Sequence, residues 1–598
     1  MTRADGYAPI EDYAAIGDGR TSALVARDGS IDWLCLPDFD SPTVFARILD
    51  ADRGGAFDLA PVAPFEPERE YVDGTNVLRT TFHTADGVVR VTDALTLADT
   101  GSLSPLRELV RSVECVSGHV ELRWRVEPRF DYARRTPRVA QRAGRLVSEA
   151  GRRAIAVSAW GGEEPRAVAE GMTGAFRLAA GDRGLVTMTV ADREPLVFGA
   201  REEAEARLER TLAFWREWSA RTEYDGPWRA LVLRSALALK LLVYAPSAAI
   251  VAAPTSSLPE WVGGGRNWDY RYTWVRDAAF SLVALLRLGH RAEARSFFWW
   301  LEHATALTRP RLRVLYRIDG GVDADERELG HLAGYRGSRP VRIGNGAAPQ
   351  LQLDLYGAML DAIWEYACEV GGLSRHEGRV VAKVADWVAE NWQRADQGIW
   401  EVRGEPTHFT HSKAMCWVAL DRASKLAERG VVPDRRERWS KAAEELARFV
   451  DDRLWDDARQ TYMRASTKPD ADASLLLLSL FGYDDPRGSR MRGTIDAVQR
   501  ELRDGIHVRR YRRDDESAGP EGSFVACAFW LVAALGKAGR VDEAAELMDG
   551  LASAANDVGL YAEELAPDGS FLGNTPQALS HLACITAAQA LAEAEAGA

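Results

Sequence analysis

Hydrophobic and polar positions alternate in short runs over the first third of the chain and then change period. From residue 1 to about 195, segments such as TSALVARDGSIDWLCLP, GVVRVTDALTL, HVELRWRVEP and RGLVTMTVAD put apolar side chains at alternate positions and stop at Gly, Pro, Asp or Asn. That is the spacing of half-buried β-strands closed by turns. So many short strands predict an antiparallel sandwich of two sheets. Residues 201–221, REEAEARLERTLAFWREWSAR, then switch to a charged helical pattern that reads as a linker.

Beyond residue 225 the apolar positions take a helical period, and twelve helices are predicted, starting near 227, 273, 291, 348, 374, 411, 435, 470, 491, 521, 541 and 575. Those starting near 273, 348, 411, 470, 521 and 575 are apolar almost all round, as in FVACAFWLVAALG. The intervening ones, such as RRERWSKAAEELARFVDD, carry a single apolar face. Alternating buried and surface helices describe six inner helices ringed by six outer ones, an (α/α)6 barrel. The fold expected is thus multidomain: an N-terminal antiparallel β-sandwich (1–199), a helical linker (200–224) and an all-α (α/α)6 barrel (225–598).

In such a barrel every inner helix begins at the same mouth, so the loops before inner helices converge there. The unusual residues lie in those loops. RNWDYRYTWVRD spans Arg266 to Asp277, and YRGSRPVRIGNGAAPQ spans Tyr335 to Gln350. Glu401 precedes the helix near 411, Arg510 and Tyr511 precede the helix at Glu521, and Glu563 precedes the last one. Paired carboxylates among aromatic side chains point to glycoside hydrolysis, in which one group protonates the departing oxygen while the other activates water. Trp268, Tyr270, Tyr272, Trp274, Trp400 and Tyr511 offer planes for the apolar face of a sugar. Arg276, Asp277, Arg342, Asn345, His411, Lys413, Arg510 and Glu521 offer directed hydrogen bonds to hydroxyls. Each also has a plainer use: aromatics fill cores, Asp277 could cap a helix, Glu521 could be a first-turn charge, and Glu564 stands beside Glu563 as an alternative.

Charge and composition narrow the partner. A formal net charge of −13 disfavours nucleic acid, whose binders concentrate positive charge, and suits a small neutral saccharide. No apolar stretch reads as a signal or membrane segment, so a cytoplasmic protein is expected. The six cysteines lack metal-type spacing and read as buried free thiols, and the ten histidines form no metal motif. No metal or other cofactor is expected, and nothing in the sequence excludes a homo-oligomer.

Taken together, the blocks IGDGRTSALVARDGSIDWLCLPDFDSPTVFARILD, NWDYRYTWVRDA, GYRGSRPVRIGN, GIWEVRG, SKAMCWVALDRA, EGSFVACAFW and LGNTPQALSH resemble glycoside hydrolase family 15, the glucoamylase and trehalase group, over nearly the whole chain. The resemblance implies a β-sandwich followed by an (α/α)6 barrel. It also implies that Glu401 is the general acid, in a setting that favours its neutral form, and Glu563 the general base. Arg276 and Asp277 match the pair that grips the non-reducing glucose, and Arg510 matches a further substrate-binding arginine. Two positions depart from the family pattern: Ala358, and the pair Pro520-Glu521. The implied activity is an exo-acting, inverting α-glucoside hydrolase, with trehalose the first substrate and isomaltose or other α-1,4 or α-1,6 glucosides next. A glycoside phosphorylase of similar architecture and a non-catalytic carbohydrate-binding relative are the alternatives. The segment DWLCLPDFDSP is expected at the pocket rim.

Overall fold

One strand of 20 residues, Arg107–Val126, belongs to both sheets of the N-terminal region. The computed structural model describes residues 3–97, 106–512 and 522–596. The first half of this strand pairs with Gly87–Leu95 and Arg183–Ala191, and its second half with Phe57–Pro61 and Gly171–Ala179, all antiparallel. The change of sheet falls at Gly118, whose φ is +70° and where a Cβ would sit 2.0 Å from the Asp86 carbonyl oxygen, so only glycine fits the bend. Phe57–Pro61 and Leu78–Thr84 alternate buried and partly exposed side chains, as the sequence pattern requires. The two sheets form the sandwich expected.

The helix Arg201–Ser219 joins the two parts. Its N-terminus carries Glu202 and Glu203, and the Glu203 carboxylate accepts from the Ala200 amide at 3.1 Å. Arg207 binds Glu108 of the long strand through two 2.8 Å hydrogen bonds, and Trp218 stacks flat on His290 of the barrel, with centroids 3.9 Å apart.

The barrel's inner helices are Val275–Arg287, Asp354–Val370, Thr410–Glu428, a short turn of helix over Ala473–Leu476 and Leu477–Leu480, Val525–Lys537 and Ala578–Ala596. Each packs on the next, and the last packs on the first, which closes the ring. Val525–Lys537 buries every residue but its last, whereas the outer helix Arg436–Arg453 buries only Trp439, Ala442, Leu446 and Val450, one narrow stripe. The (α/α)6 arrangement read from the periodicity is therefore present. Two inner helices differ from the expectation. The one placed near 348 begins at Asp354, because the amides of Leu351 and Leu353 bond to the side chains of Gln397 and Asp396 instead of starting a helix. The one near 470 is very short.

The sandwich packs against the barrel through specific polar contacts. Trp33 donates to the Pro254 carbonyl at 2.8 Å, Arg271 reaches the Ser41 carbonyl at 2.9 Å, and Arg69 forms a two-pronged ion pair with Asp557. Five of the six cysteines are buried; Cys368, expected with them, is exposed on an inner helix's far end.

Candidate active site

At the mouth where the inner helices begin lies a cavity of ≈270 Å³, near the lower end of ligand pockets, which run to about 300–1,000 Å³. Its wall comes from loops far apart in sequence: Trp268, Tyr270, Trp274, Arg276 and Asp277 from one, Asn345 from the next, Trp400 and Glu401 from a third, Arg510 and Tyr511 from a fourth, and Gln577 from the last.

Glu401 sits in a tight turn in which its amide donates to Gly398 and that of Val402 to Gln397. Its backbone is left-handed, φ +56°. The carboxylate accepts from the indole of Trp274 at 2.6 Å. Burial raises the proton affinity of Glu401 above the usual carboxylate range, while the Arg276 charge and the indole hydrogen bond work against that rise.

Glu563 is fully buried, at 0% exposure, and stands one layer behind the wall. Tyr270, which does line the cavity, donates to one of its oxygens at 2.6 Å, and the Asn574 amide donates to the other at 3.2 Å. A Cβ at Gly573, where φ is +72°, would lie 2.4 Å from that second oxygen, so glycine makes room for the carboxylate. Burial and the nearby Glu260 carboxylate hold Glu563 well above the ordinary range, against the pull of Tyr270 and Arg510. Glu401 was expected to be the group whose setting favours the neutral form. Both glutamates lean that way, and burial is the first cause for each.

Arg276 is held by Asp277 at 2.8 Å and by the Ile399 carbonyl at 3.2 Å, next to Asp354 at 3.7 Å. One Asp277 oxygen is thus fixed and the carboxylate faces the cavity. The guanidinium groups of Arg342 and Arg403 lie 4.7 and 4.2 Å from the ring centroid of Trp268, whose indole donates to Glu260. Trp400 donates to Asp472 at 3.0 Å, and Arg464 lies 4.2 Å over the ring of Tyr511. Among the described residues no group of His, Cys, Asp and Glu is placed to hold a metal ion, and no helix is long and apolar enough to cross a membrane.

Residues 226–589 match the family model of Glycosyl hydrolases family 15, and residues 3–168 match that of a trehalase-like N-terminal region. The chain belongs to Glycosyl hydrolases family 15. It is a glycoside hydrolase. A trehalase of Mycolicibacterium smegmatis is 40% identical over 99% of this chain and 93% of its own length. A trehalase of Thermoplasma volcanium is 35% identical over 99% of this chain and 94% of its own. The crystal structure of a bacterial glucoamylase complexed with acarbose superposes with a TM-score of 0.72, covering 98% of this chain and 94% of that one. At 12% identity that likeness shows the shared fold.

Within this family 15 hydrolase the mouth loops bring together Glu401, Arg276, Asp277, Trp274, Trp268, Trp400, Arg510 and Tyr511, with Glu563 behind Tyr270. Five other expectations fare differently. Lys413 is outside the wall: its fully buried ammonium donates to the Trp392 and Arg394 carbonyls, closing the end of an outer helix. Tyr272 is buried away from the cavity, where burial and the Asp269 charge raise its phenol far above the normal range. Arg342 supports Trp268 from behind and is bound to the Gly265 carbonyl at 2.8 Å. Glu521 lies outside the described residues. The DWLCLPDFDSP segment is not at the rim either; Trp33 and Cys35 are buried behind Arg271, which contacts the Cys35 sulfur. Ala358 is a buried packing position.

Glu260, from TSSLPEWVGGG, was not anticipated. It lines the cavity at 2% exposure and binds Trp268, Arg510 and Arg266. Its place in a loop ahead of an inner helix was the available signal.

Proposed function

We propose that this hydrolase cleaves a short α-glucoside by single displacement with inversion, and that trehalose is its first substrate, ahead of isomaltose and other α-1,4 or α-1,6 glucosides. The observation that carries the reading is a pair of buried carboxylates at the mouth, each held by a different member of the Tyr270–Trp274 pair. Likeness to trehalases along essentially the whole chain supports the choice of trehalose, and the small cavity suits a two-sugar occupant better than a long glucan.

In this reading the substrate's non-reducing glucose sits against Asp277, whose free lone pairs accept from hydroxyls while Arg276 keeps the carboxylate in place. Glu401, protonated with the help of its burial, gives its proton to the glycosidic oxygen as the bond from the anomeric carbon to that oxygen breaks. Glu563, ionised, takes a proton from water as the water oxygen bonds to the opposite face of the same carbon. Glu401 ends ionised and Glu563 protonated, and exchange with solvent resets both. A phosphorylase needs uncommitted cationic charge to hold phosphate in place of that water. Here Arg510 and Arg266 are engaged with Glu260, and Arg403 and Arg342 with Glu326.

The decisive measurement is the product anomer, followed by NMR in the first moments of trehalose cleavage. Inversion releases one β-glucose and one α-glucose per substrate, since the leaving sugar keeps its configuration. Release of α-glucose alone would mean retention. Glu401→Gln and Glu563→Gln should each lower kcat by about 10²–10⁴-fold. Sugar phosphate formed only when phosphate is added would replace the hydrolase reading with the phosphorylase one.

A further inference from the structure

Glu260 follows the short strand Ser256–Pro259, which pairs irregularly with Asn267–Asp269, and its amide closes the intervening loop on the Arg266 carbonyl at 3.1 Å. One carboxylate oxygen accepts from the Trp268 indole at 2.9 Å. The other accepts from Arg510 at 2.9 Å and lies 3.0 Å from Arg266. Trp268 and Arg510 both line the cavity and come from different loops, one ahead of Val275–Arg287 and the other ahead of Val525–Lys537. A single buried carboxylate therefore ties together two wall residues that are far apart in sequence.

We propose that Glu260 is a positioning residue of the reaction: it fixes Arg510 and Trp268 in the pose in which they meet the sugar, and it keeps a negative charge beside Glu563. The second half of this inference rests on Glu563 being the general base. The groups that face Glu260 are Arg510, Arg266 and Trp268, with Tyr270 and Glu563 within electrostatic range. Those that face Glu563 are Tyr270, Glu260, Arg510 and the Asn574 amide, and Arg510 also lies 3.3 Å from Glu564. Arg510 and Arg266 keep Glu260 ionised despite its burial. Its fixed charge then makes Glu563 harder to ionise and a stronger proton acceptor once it has done so, the balance a general base needs near neutral pH.

The test is Glu260→Gln in the full chain, with kcat and KM for trehalose measured across pH. The amide oxygen can still accept from Trp268, but the charge and the ion pair are gone. Loss of a charge-assisted contact that orients Arg510 should raise KM by about tenfold. With the negative charge removed, Glu563 ionises more readily, so the acidic limb of kcat/KM should move to lower pH, by about one unit. A limb and a KM that both coincide with the parent enzyme would overturn the proposal. Glu260→Asp keeps the charge on a shorter arm; it should hold the acidic limb and raise KM, and it serves if the Gln variant does not fold. An Asp variant that is unchanged in both respects also overturns the proposal. Failure of the base assignment is told apart by Glu563→Gln: if that variant retains its kcat, the assignment falls and only the contact with Arg510 and Trp268 is left under test by KM.

Discussion

The rings of Tyr270 and Trp274 meet edge to face with centroids 5.3 Å apart, and each gives its one polar hydrogen to a different buried glutamate, Tyr270 to Glu563 and Trp274 to Glu401. Four residues apart on one extended segment, the two aromatics fix the two carboxylates relative to each other more directly than either helix behind them. Neither hydrogen is available for substrate, because both are committed to the two carboxylates.

Removing either hydrogen should therefore shift one limb of the pH profile. The phenol stabilises the ionised form of Glu563. Tyr270→Phe should push that glutamate's proton affinity up, move the acidic limb of kcat/KM to higher pH, and lower kcat at neutral pH by about 10–100-fold. That direction is opposite to the one expected for Glu260→Gln. The indole stabilises ionised Glu401, so Trp274→Phe should keep Glu401 protonated to higher pH and move the basic limb upward. Profiles of both variants that superpose on the parent's would remove these rings from the proton inventory.

The join between sandwich and barrel should depend on Asp557. The Arg69 side chain is 0% exposed and its guanidinium binds both oxygens of Asp557, which is itself 26% exposed. Asp557→Ala leaves a buried cation without its partner. The cost expected is about 2–3 kcal/mol, below the figure for a fully enclosed pair because solvent reaches Asp557. Urea unfolding followed by tryptophan fluorescence reads it. Replacing both residues by apolar ones, Arg69→Met with Asp557→Leu, should recover most of the loss.

Acid should destabilise the fold through its buried imidazoles. Burial pushes His411 and His581 down to about 3, and His290 is lowered for the same reason. His581 accepts from the Tyr561 amide through Nε2, which requires the neutral ring. All three are neutral when folded and take up protons near 6.5 when unfolded, so their contribution is complete above about pH 6.5 and is lost as the pH falls from there toward 3. Each contributes a slope of about 1.4 kcal/mol per pH unit inside its own window. A Tm that is flat from pH 7 to 5 would contradict this, and His581→Asn should reduce the slope.

The periodicity of the chain was enough to separate sandwich from barrel and to place the mouth loops, because burial dictates both patterns. It did not foresee the strand Arg107–Val126. HVELRWRVEP reads as a short strand of its own, whereas it is the second half of one strand that Gly118 bends from the first sheet into the second. Among the site residues, those next to aromatic clusters, such as Arg276, Asp277 and Glu401, were legible from their loops. Lys413 was misread because it lies at the start of an inner helix but faces the carbonyls that end an outer one. Glu260 lay among 88 acidic residues with no periodic neighbour to mark it, and its partner Arg510 is 250 residues away.

The backbone at Glu401 has φ +56°, a conformation that glycine or asparagine adopts far more readily than glutamate and that costs a residue with a Cβ about 1–2 kcal/mol. An asparagine there would relax the turn and give up the carboxyl group in the same step. With Glu401 as the proposed general acid, selection for a sturdier protein and selection for a working one pull this position in opposite directions. Lineages freed from the need for the reaction should lose this glutamate early, by a change that leaves the molecule better folded than its ancestor.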